Sequence, residues 1–482
     1  MPANKIFVHI EAALQPQCQA TLAQARALVS QYLSTNVSLY RNGPVELGQL
    51  ESGEHISFYV SAIAVVDLQP HQSVSFWQAE LCIHCFRMCD TEPDKDFLDG
   101  EDDLPAFEQW ELPNSGLCGL WESVEAEEGV KARMLGYADT SVQFSEAGID
   151  SNIISWNRMM LLHGPPGTGK TTTCKALAQK LFIRNSEAYT AGVLLDINAH
   201  SLFSKWFSES GKLVMKLFDH IAEIAEDSQT LVCVLVDEVE SIATSRSYSS
   251  RSNEPGDAVR VVNSVLTSLD ALRRQPNVLV LCTSNMAAGI DAAFLDRVDL
   301  KVYMGPPCSD AVFRILRSCL LELMRAGIIT PAAAIPERMS DAVAAPLPLQ
   351  AQANGQLQTP TPTAAAAVGW TGMDQDRDGD DSGSETTPSP TQGVDVASSA
   401  DDHTDTSTGS ASSRPFSLLL KTVQVCEGLS GRALRKLPLR AHAYHHMSAG
   451  AIMSLEAFLA ALLATARDDA LVKQKPEQDH EV

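Results

Sequence analysis

The octapeptide Gly164-Pro165-Pro166-Gly167-Thr168-Gly169-Lys170-Thr171 constrains this chain more than any other stretch. It fits the pattern G-x-x-x-x-G-K-[ST], follows an apolar run at Met159–His163 and opens a segment with helical spacing, Gly169–Ile183. A strand–loop–helix unit of this kind lets backbone N–H groups wrap a phosphate chain, while the helix N-terminus adds partial positive charge. Lys170 would reach the β- and γ-phosphates, and the Thr171 hydroxyl would ligate Mg²⁺. The flanking sequence agrees. Apolar runs at Met159–His163, Val193–Ile197, Leu231–Val236, Val278–Ser284 and Leu300–Met304 alternate with amphipathic segments at Gly169–Ile183, Gly211–Glu226, Asp257–Leu272 and Ser309–Arg325. This alternation predicts an α/β fold with a parallel P-loop sheet covered by helices on both faces.

A second half of a nucleotide site follows in Leu231-Val232-Cys233-Val234-Leu235-Val236-Asp237-Glu238. A buried strand ending in two carboxylates needs a use for them, because unpaired burial of charge is costly. Asp237 would hold Mg²⁺, partly through water, and Glu238 would orient and deprotonate the attacking water. In Leu281-Cys282-Thr283-Ser284-Asn285 another strand ends on a polar residue. The carboxyl ends of such strands face the ligand, which places Asn285 to hold the attacking water or γ-phosphate, unless it simply ends the strand.

Four segments surround this module. Residues 1–115 predict a small α+β N-terminal domain, with a helix near Cys18–Tyr32, alternating runs at Ile56–Val60 and Val74–Phe86, and an acidic loop over Asp90–Glu111. Residues 116–155 read as a linker with one helical segment, Val124–Tyr137, before the α/β subdomain at 156–330. Residues 331–414 are dominated by Pro, Ala, Ser, Thr, Asp and Gly, lack lysine and hold Trp370 as their one aromatic residue. Such a segment buries too little apolar surface to offset its ordering entropy, so it predicts a disordered insertion. Helical spacing returns over 415–466 as a lid, and a charged tail, 467–482, is expected to fray.

Composition narrows the partners. The net charge is −24, with 16 acidic against 5 basic residues in 1–120 and 12 against 3 in 331–414, so the remainder is nearly neutral. No global basic field exists to draw in a phosphate backbone, and direct nucleic-acid binding is not expected. The 11 cysteines are scattered through apolar runs, as small buried residues in a reducing compartment would be. No stretch approaches the roughly 18 apolar residues that span a bilayer, so a soluble intracellular protein is expected. Cys82, His84, Cys85 and Cys89 lie close together, but strand alternation would point Cys82 and His84 away from Cys85, which favours a structural strand over zinc. His442, His445 and His446 read as a solvated or satisfied helix face.

Together these motifs, with a distal Gly428-Leu429-Ser430-Gly431-Arg432, resemble AAA+ ATPases. Two segments, Ser201–Lys212 and Gly428–Pro438, look like the pachytene checkpoint ATPases, which remodel HORMA-domain proteins. The resemblance implies ATP with Mg²⁺, a homohexamer, and a closed-to-open conversion of a HORMA client driven by pulling on a peptide segment. It also implies a HORMA-family adaptor, roles in meiotic chromosome-axis and spindle-checkpoint control, and a nuclear, chromosomal location with a cytoplasmic pool. Arg432 would contact γ-phosphate within the subunit, with a helix-start role as the alternative. Arg297 would be the finger reaching the neighbouring subunit, against a salt bridge to Asp296 or Asp299; the place three residues on, where many relatives carry a second finger, is Leu300. Trp206 and Phe207 would form a substrate-gripping pore loop, unless one anchors the next helix, and Ser245–Pro255 a second loop on the channel. Gly119-Leu120-Trp121 resembles the segment near the adenine pocket. A general unfoldase, a severing ATPase and a nucleotide-gated scaffold remain as alternatives.

Overall fold

The computed structural model describes residues 5–50, 52–68, 72–96, 107–127, 129–150, 153–199, 210–243, 256–286, 290–330, 335–344, 416–445 and 452–474. The chain divides into two units, Met1–Val343 with Phe416–Val482, and Ala344–Pro415; apart from Ala344, all described residues belong to the first. Trp206, Phe207, His446 and the 245–255 stretch lie outside the described residues, as does most of the expected insertion.

The N-terminal domain follows from one alternating strand. In β1 (Ile6–Leu14), Val8, Ile10, Ala12 and Leu14 are buried and the residues between them are not, so one face of the strand supplies the core. Helix α1 (Leu22–Asn36) covers that face with Ala25, Val29, Tyr32 and Leu33, spaced to fall on one side. Its start is set by Thr21, whose side chain accepts from the Gln24 N–H while the Gln24 side chain returns the bond, a capping box. The sheet is completed by β2 (Gly43–Pro44), β3 (Val60–Val66) and β4 (Ala79–Phe86), in the order β2-β3-β1-β4, with β1 antiparallel to β3 and parallel to β4. Two expected runs are shorter than their alternation suggested. Ile56–Phe58 and Phe76–Gln78 form 3₁₀ turns, which leave Phe58 and Trp77 69% and 74% exposed.

The expected boundary at 115 is corrected by hydrogen bonding. Within the predicted acidic loop, β5 (Asp94–Asp96) and β6 (Phe107–Leu112) extend the ATPase sheet instead, β6 running antiparallel to β8 (Ala191–Asn198) from Ile197↔Phe107 to Gly192↔Leu112. Their acids are tolerated because β5 and β6 form the sheet margin, where charge meets water and blunts edge pairing. The linker holds two helices in place of the one expected: α2 (Leu120–Ser123) and α3 (Val130–Glu146).

The other strands of this sheet are β7 (Met159–His163), β9 (Thr230–Asp237), β10 (Val278–Ser284) and β11 (Leu300–Tyr303), in the order β11-β7-β10-β9-β8-β6-β5. The five strands from β11 to β8 are parallel. In β9 the residues divide by alternation. Val232, Val234 and Val236 join the core under α5 (Ser210–Ala225) and α7 (Gly256–Leu272), with the single turn α6 (Glu240–Ala243) between those two in the chain, whereas Leu231, Cys233 and Leu235 join the opposite core, with α3 and α4 (Lys170–Arg184). Burial on both faces explains the unbroken apolar run, each side chain contributing about 1.5–3 kcal/mol of transfer free energy.

Three further corrections concern the lid. Helix α9 (Ser309–Arg325), assigned by its place in the chain to the α/β subdomain, packs Val312, Phe313, Leu316 and Leu320 among Leu419, Val423, Leu434, Phe458 and Leu462. Those partners come from α11 (Ser417–Val425), α12 (Gly431–His445) and α13 (Leu455–Gln474). Ile335 and Ala342, within the predicted disordered insertion, are buried in the same core, Ala342 on the short helix α10 (Met339–Ala344). A few apolar residues at the margin of a polar segment suffice when a preformed core receives them. Helix α13 passes the expected end at 466 and is tied down beyond it by Asp469, which accepts from Arg440 Nη1 at 2.7 Å. Among the described residues no helix is long and apolar enough to cross a membrane.

Candidate functional site

The octapeptide connects β7 to α4, where the sheet's carboxyl ends gather. Two of its glycines are required by close approach. Gly164 has φ 148°, and a Cβ there would lie 2.1 Å from the Met304 carbonyl oxygen. Gly167, at φ 77°, would bring a Cβ to 2.9 Å from Ser430 Oγ. The lid meets the loop at this point, as the Arg432 N–H donates to the Gly167 carbonyl at 3.1 Å. Pro165 contributes its carbonyl, which accepts from Thr168 Oγ1 at 3.0 Å. Pro166 and Gly169 complete the turn, Gly169 as the N-terminal cap of α4.

Lys170 is buried, and its ammonium donates to Gly164 O at 2.9 Å, Pro165 O at 2.8 Å and Asn285 Oδ1 at 2.8 Å. Burial lowers its pKa from the ordinary lysine value. The carboxylates of Glu240, Asp237 and Glu238 act against that shift, and the Arg432 guanidinium adds to it. Thr171 Oγ1 lies 2.9 and 3.1 Å from the two oxygens of Asp237. Asp237 ends β9, and Glu238 follows it with φ 58°, a left-handed backbone that costs a non-glycine residue about 1–3 kcal/mol. Asn285 follows β10, and its N–H donates to Glu240 Oε1 at 3.1 Å. The linker also reaches the loop, since Val124 stands 3.6 Å from where a Gly169 Cβ would be. Beside it Trp121 is buried, with the Lys131 ammonium 5.3 Å from its ring centre.

The structure thus assembles Gly164–Thr171, Asp237, Glu238, Asn285 and Arg432 around one loop. Arg297 joins a different group. It closes α8 (Ala292–Arg297), and its guanidinium is bidentate to Asp270 at 2.8 and 2.7 Å, with Nη1 donating to Ala293 O at 2.7 Å. Neither expected neighbour holds it, and Asp299 instead accepts from Tyr137 and Asn157. Three contributors carry no expected role: Glu240, outside the quoted motifs, and Ser430 and Thr283, which lie within them, Thr283 with its hydroxyl on Asp237. Strand period 2 places Thr283 on the same face as Asn285, which was the available signal. In the N-terminal domain, His9 and His84 stack at 5.4 Å, with a 3.1 Å contact between Nδ1 and Nε2, and Cys85 is buried.

This geometry matches known proteins. The model of the ATPase family associated with various cellular activities covers residues 160–306, that of the TRIP13 N-terminal domain 3–91, and that of the TRIP13-like lid 386–470. A pachytene checkpoint protein 2 homolog of Oryza sativa subsp. indica is 39% identical over 469 residues, spanning 96% of this chain and 88% of the relative. The chain belongs to the pachytene checkpoint protein 2 family of AAA+ ATPases. The family's Danio rerio homolog is 46% identical over 324 residues, 67% of this chain and 76% of that one. The solved structure of C. elegans PCH-2 superposes with a TM-score of 0.67 at 27% identity, covering 96% and 98% of the two chains.

The residues of this family member fit ATP and a divalent cation. A buried ammonium resting on two carbonyls and an amide has acceptors that a phosphate can replace without orphaning a charge. Thr171 and Asp237 would hold the cation, which on binding neutralises charge on the phosphates. Gly164 and Gly167 admit close backbone approach. Glu238 would be the carboxylate to take a proton from water, and Asn285 and Lys170 are already hydrogen-bonded to each other.

Proposed function

We propose that this ATPase couples hydrolysis to the remodelling of HORMA-domain proteins. A homohexamer would thread a flexible peptide segment of its client past Trp206 and Phe207 and convert a closed HORMA fold to an open one. A HORMA-family adaptor would present the client to the N-terminal domain. The work would be done on nuclear chromosomes in meiotic axis and recombination control, and from a cytoplasmic pool in spindle-checkpoint silencing. In the hexamer Arg297 would leave Asp270 and act in trans, and Arg432 would contact the γ-phosphate in cis. Nucleic acid and membrane would take no direct part.

The observation that carries this reading is the gathering of Lys170, Thr171, Asp237 and Asn285 at one loop, with Glu238 directly after Asp237, in a chain aligned over 96% of its length with a pachytene checkpoint relative. Such a set favours turnover over a nucleotide-gated scaffold. The test is Glu238→Gln, expected to bind ATP while turnover falls about 100-fold or more. Held in ATP, this variant should retain a HORMA-domain protein from meiotic or dividing cells, and lose it when Trp206→Ala is added. Retention of tubulin or a protease in its place would transfer the ATPase to another client.

A further inference from the structure

Thr283 is the penultimate residue of β10 and is 2% exposed. Valine has the same shape and would fill a buried strand position without a hydroxyl to satisfy, since an unpaired buried hydroxyl is costly. Here the hydroxyl has two partners, and both belong to the acid pair of the neighbouring strand. Thr283 Oγ1 donates to Asp237 Oδ1 and accepts from the Glu238 N–H at 3.2 Å. The directions are fixed, because the backbone N–H can only donate and a single hydroxyl proton is left for the carboxylate. The backbone of Thr283 adds a third tie, its carbonyl accepting from the Val239 N–H at 2.9 Å.

Both acids need such a tie. Asp237 faces Thr171 Oγ1 at 2.9 and 3.1 Å, so a rotation of its carboxylate would break the pair that is to hold the cation. Glu238 has a left-handed backbone, φ 58°, which persists only where surrounding contacts determine it. The Thr283 hydroxyl bonds to Asp237 and Glu238, whereas Lys170 bonds to Gly164, Pro165 and Asn285, which leaves nucleotide binding to groups other than Thr283.

We infer that Thr283 is a positioning residue for hydrolysis, its hydroxyl holding the Asp237 carboxylate toward Thr171 and pinning the strained backbone of Glu238. The inference rests on the assignment of Glu238 as the group that activates water. Its loss would misplace the acids and leave ATP binding nearly intact.

The experiment compares steady-state ATP hydrolysis by the full chain and its Thr283→Val, Thr283→Ser and Glu238→Gln variants at varied Mg²⁺, with thermal unfolding of each. The expected result for Thr283→Val is a kcat lower by about 10- to 100-fold, with KM for ATP within about threefold and more Mg²⁺ needed for half-maximal rate. Thr283→Ser restores the hydroxyl and should keep kcat within about threefold of the parent. If Thr283→Val does not fold, Thr283→Ala removes the hydroxyl with less bulk and is read in the same way. A fall in kcat below about fivefold for the hydroxyl-free variant overturns the inference, as does a serine variant as impaired as the valine one. A Glu238→Gln enzyme that still turns over normally would instead defeat the assignment of the base, a failure distinguishable from that of Thr283.

Discussion

At the first residue of helix α4, Lys170 donates to two carbonyls of the preceding loop and to the Asn285 amide oxygen. At its last, the same helix sets Arg184 against two carboxylates, Asp67 of the N-terminal domain and Asp139 of α3, the latter at 2.9 Å. One turn earlier Lys180 donates to Glu11 of β1 at 2.6 Å. All three cations are largely buried, and the difference lies in their company. Burial alone would lower the pKa of Arg184, but the charges of Asp67 and Asp139 more than offset it, and the net shift is upward. For Lys170 the net shift is downward. A buried cation held by full negative charges is a structural clasp. Lys170, held by neutral oxygens at the turn between β7 and α4, still has charge that a phosphate could satisfy. The helix therefore works as a strut between a place that must exchange partners and a place that must not.

The sharpest way to break this contrast is Lys170→Ala. Removing the ammonium orphans no carboxylate, so the unfolding temperature should stay near that of the parent while phosphate release falls about 100-fold or more. A variant that unfolds early but still turns over would place Lys170 with the clasps. Arg184→Met should do the opposite. It leaves Asp67 and Asp139 facing each other partly buried, at a cost of about 2–4 kcal/mol in urea unfolding, while turnover per folded molecule is retained. Equal stability of parent and variant would mean that the clasp contributes nothing.

The smallest effect is one of pH and sharpens the clasp end. His84 is pushed down to about 4, by burial first and then by the charges of His9, Arg184 and Arg26. His9 is lowered too, chiefly by burial, with Arg184 and Lys180 acting in the same sense and Asp67 and Asp139 against it. Between pH 6.5 and about 4 the unfolded chain therefore binds more protons at His84 than the folded one. This contribution is fully present above pH 6.5 and is lost as the pH falls through the folded value, amounting to about 1–3 kcal/mol. His84→Asn should flatten the decline in unfolding temperature over that range. An unchanged slope would show that the histidine pair is not the titrating element.

The phosphate-binding loop was legible because its requirements are local. Strand, glycines and helix start are contiguous, and each residue's role follows from its offset within eight positions. Asp237, Glu238 and Asn285 were legible for a related reason, each marking the polar end of a buried strand. Strand β6 was hidden because its alternation is diluted by Glu108 and Glu111, acids that water reaches near the margin of the sheet. The lid was misdivided because the whole low-complexity segment lies between α9 and α11, and chain proximity argues for the wrong neighbour.

Sequence by itself determined the class of sheet, the place of the loop and the acids that end β9, since period-2 burial, helix starts and glycine positions are written in neighbouring residues. The tertiary structure decided which carboxylates meet which cations, as with Lys180 and Glu11, 169 residues apart. It also decided that Arg297 pairs with Asp270, and that Thr283 joins the acids of β9. A hydrogen bond or ion pair acts over about 3 Å, and nothing in the chain's order states which distant residues the sheet will bring within that reach.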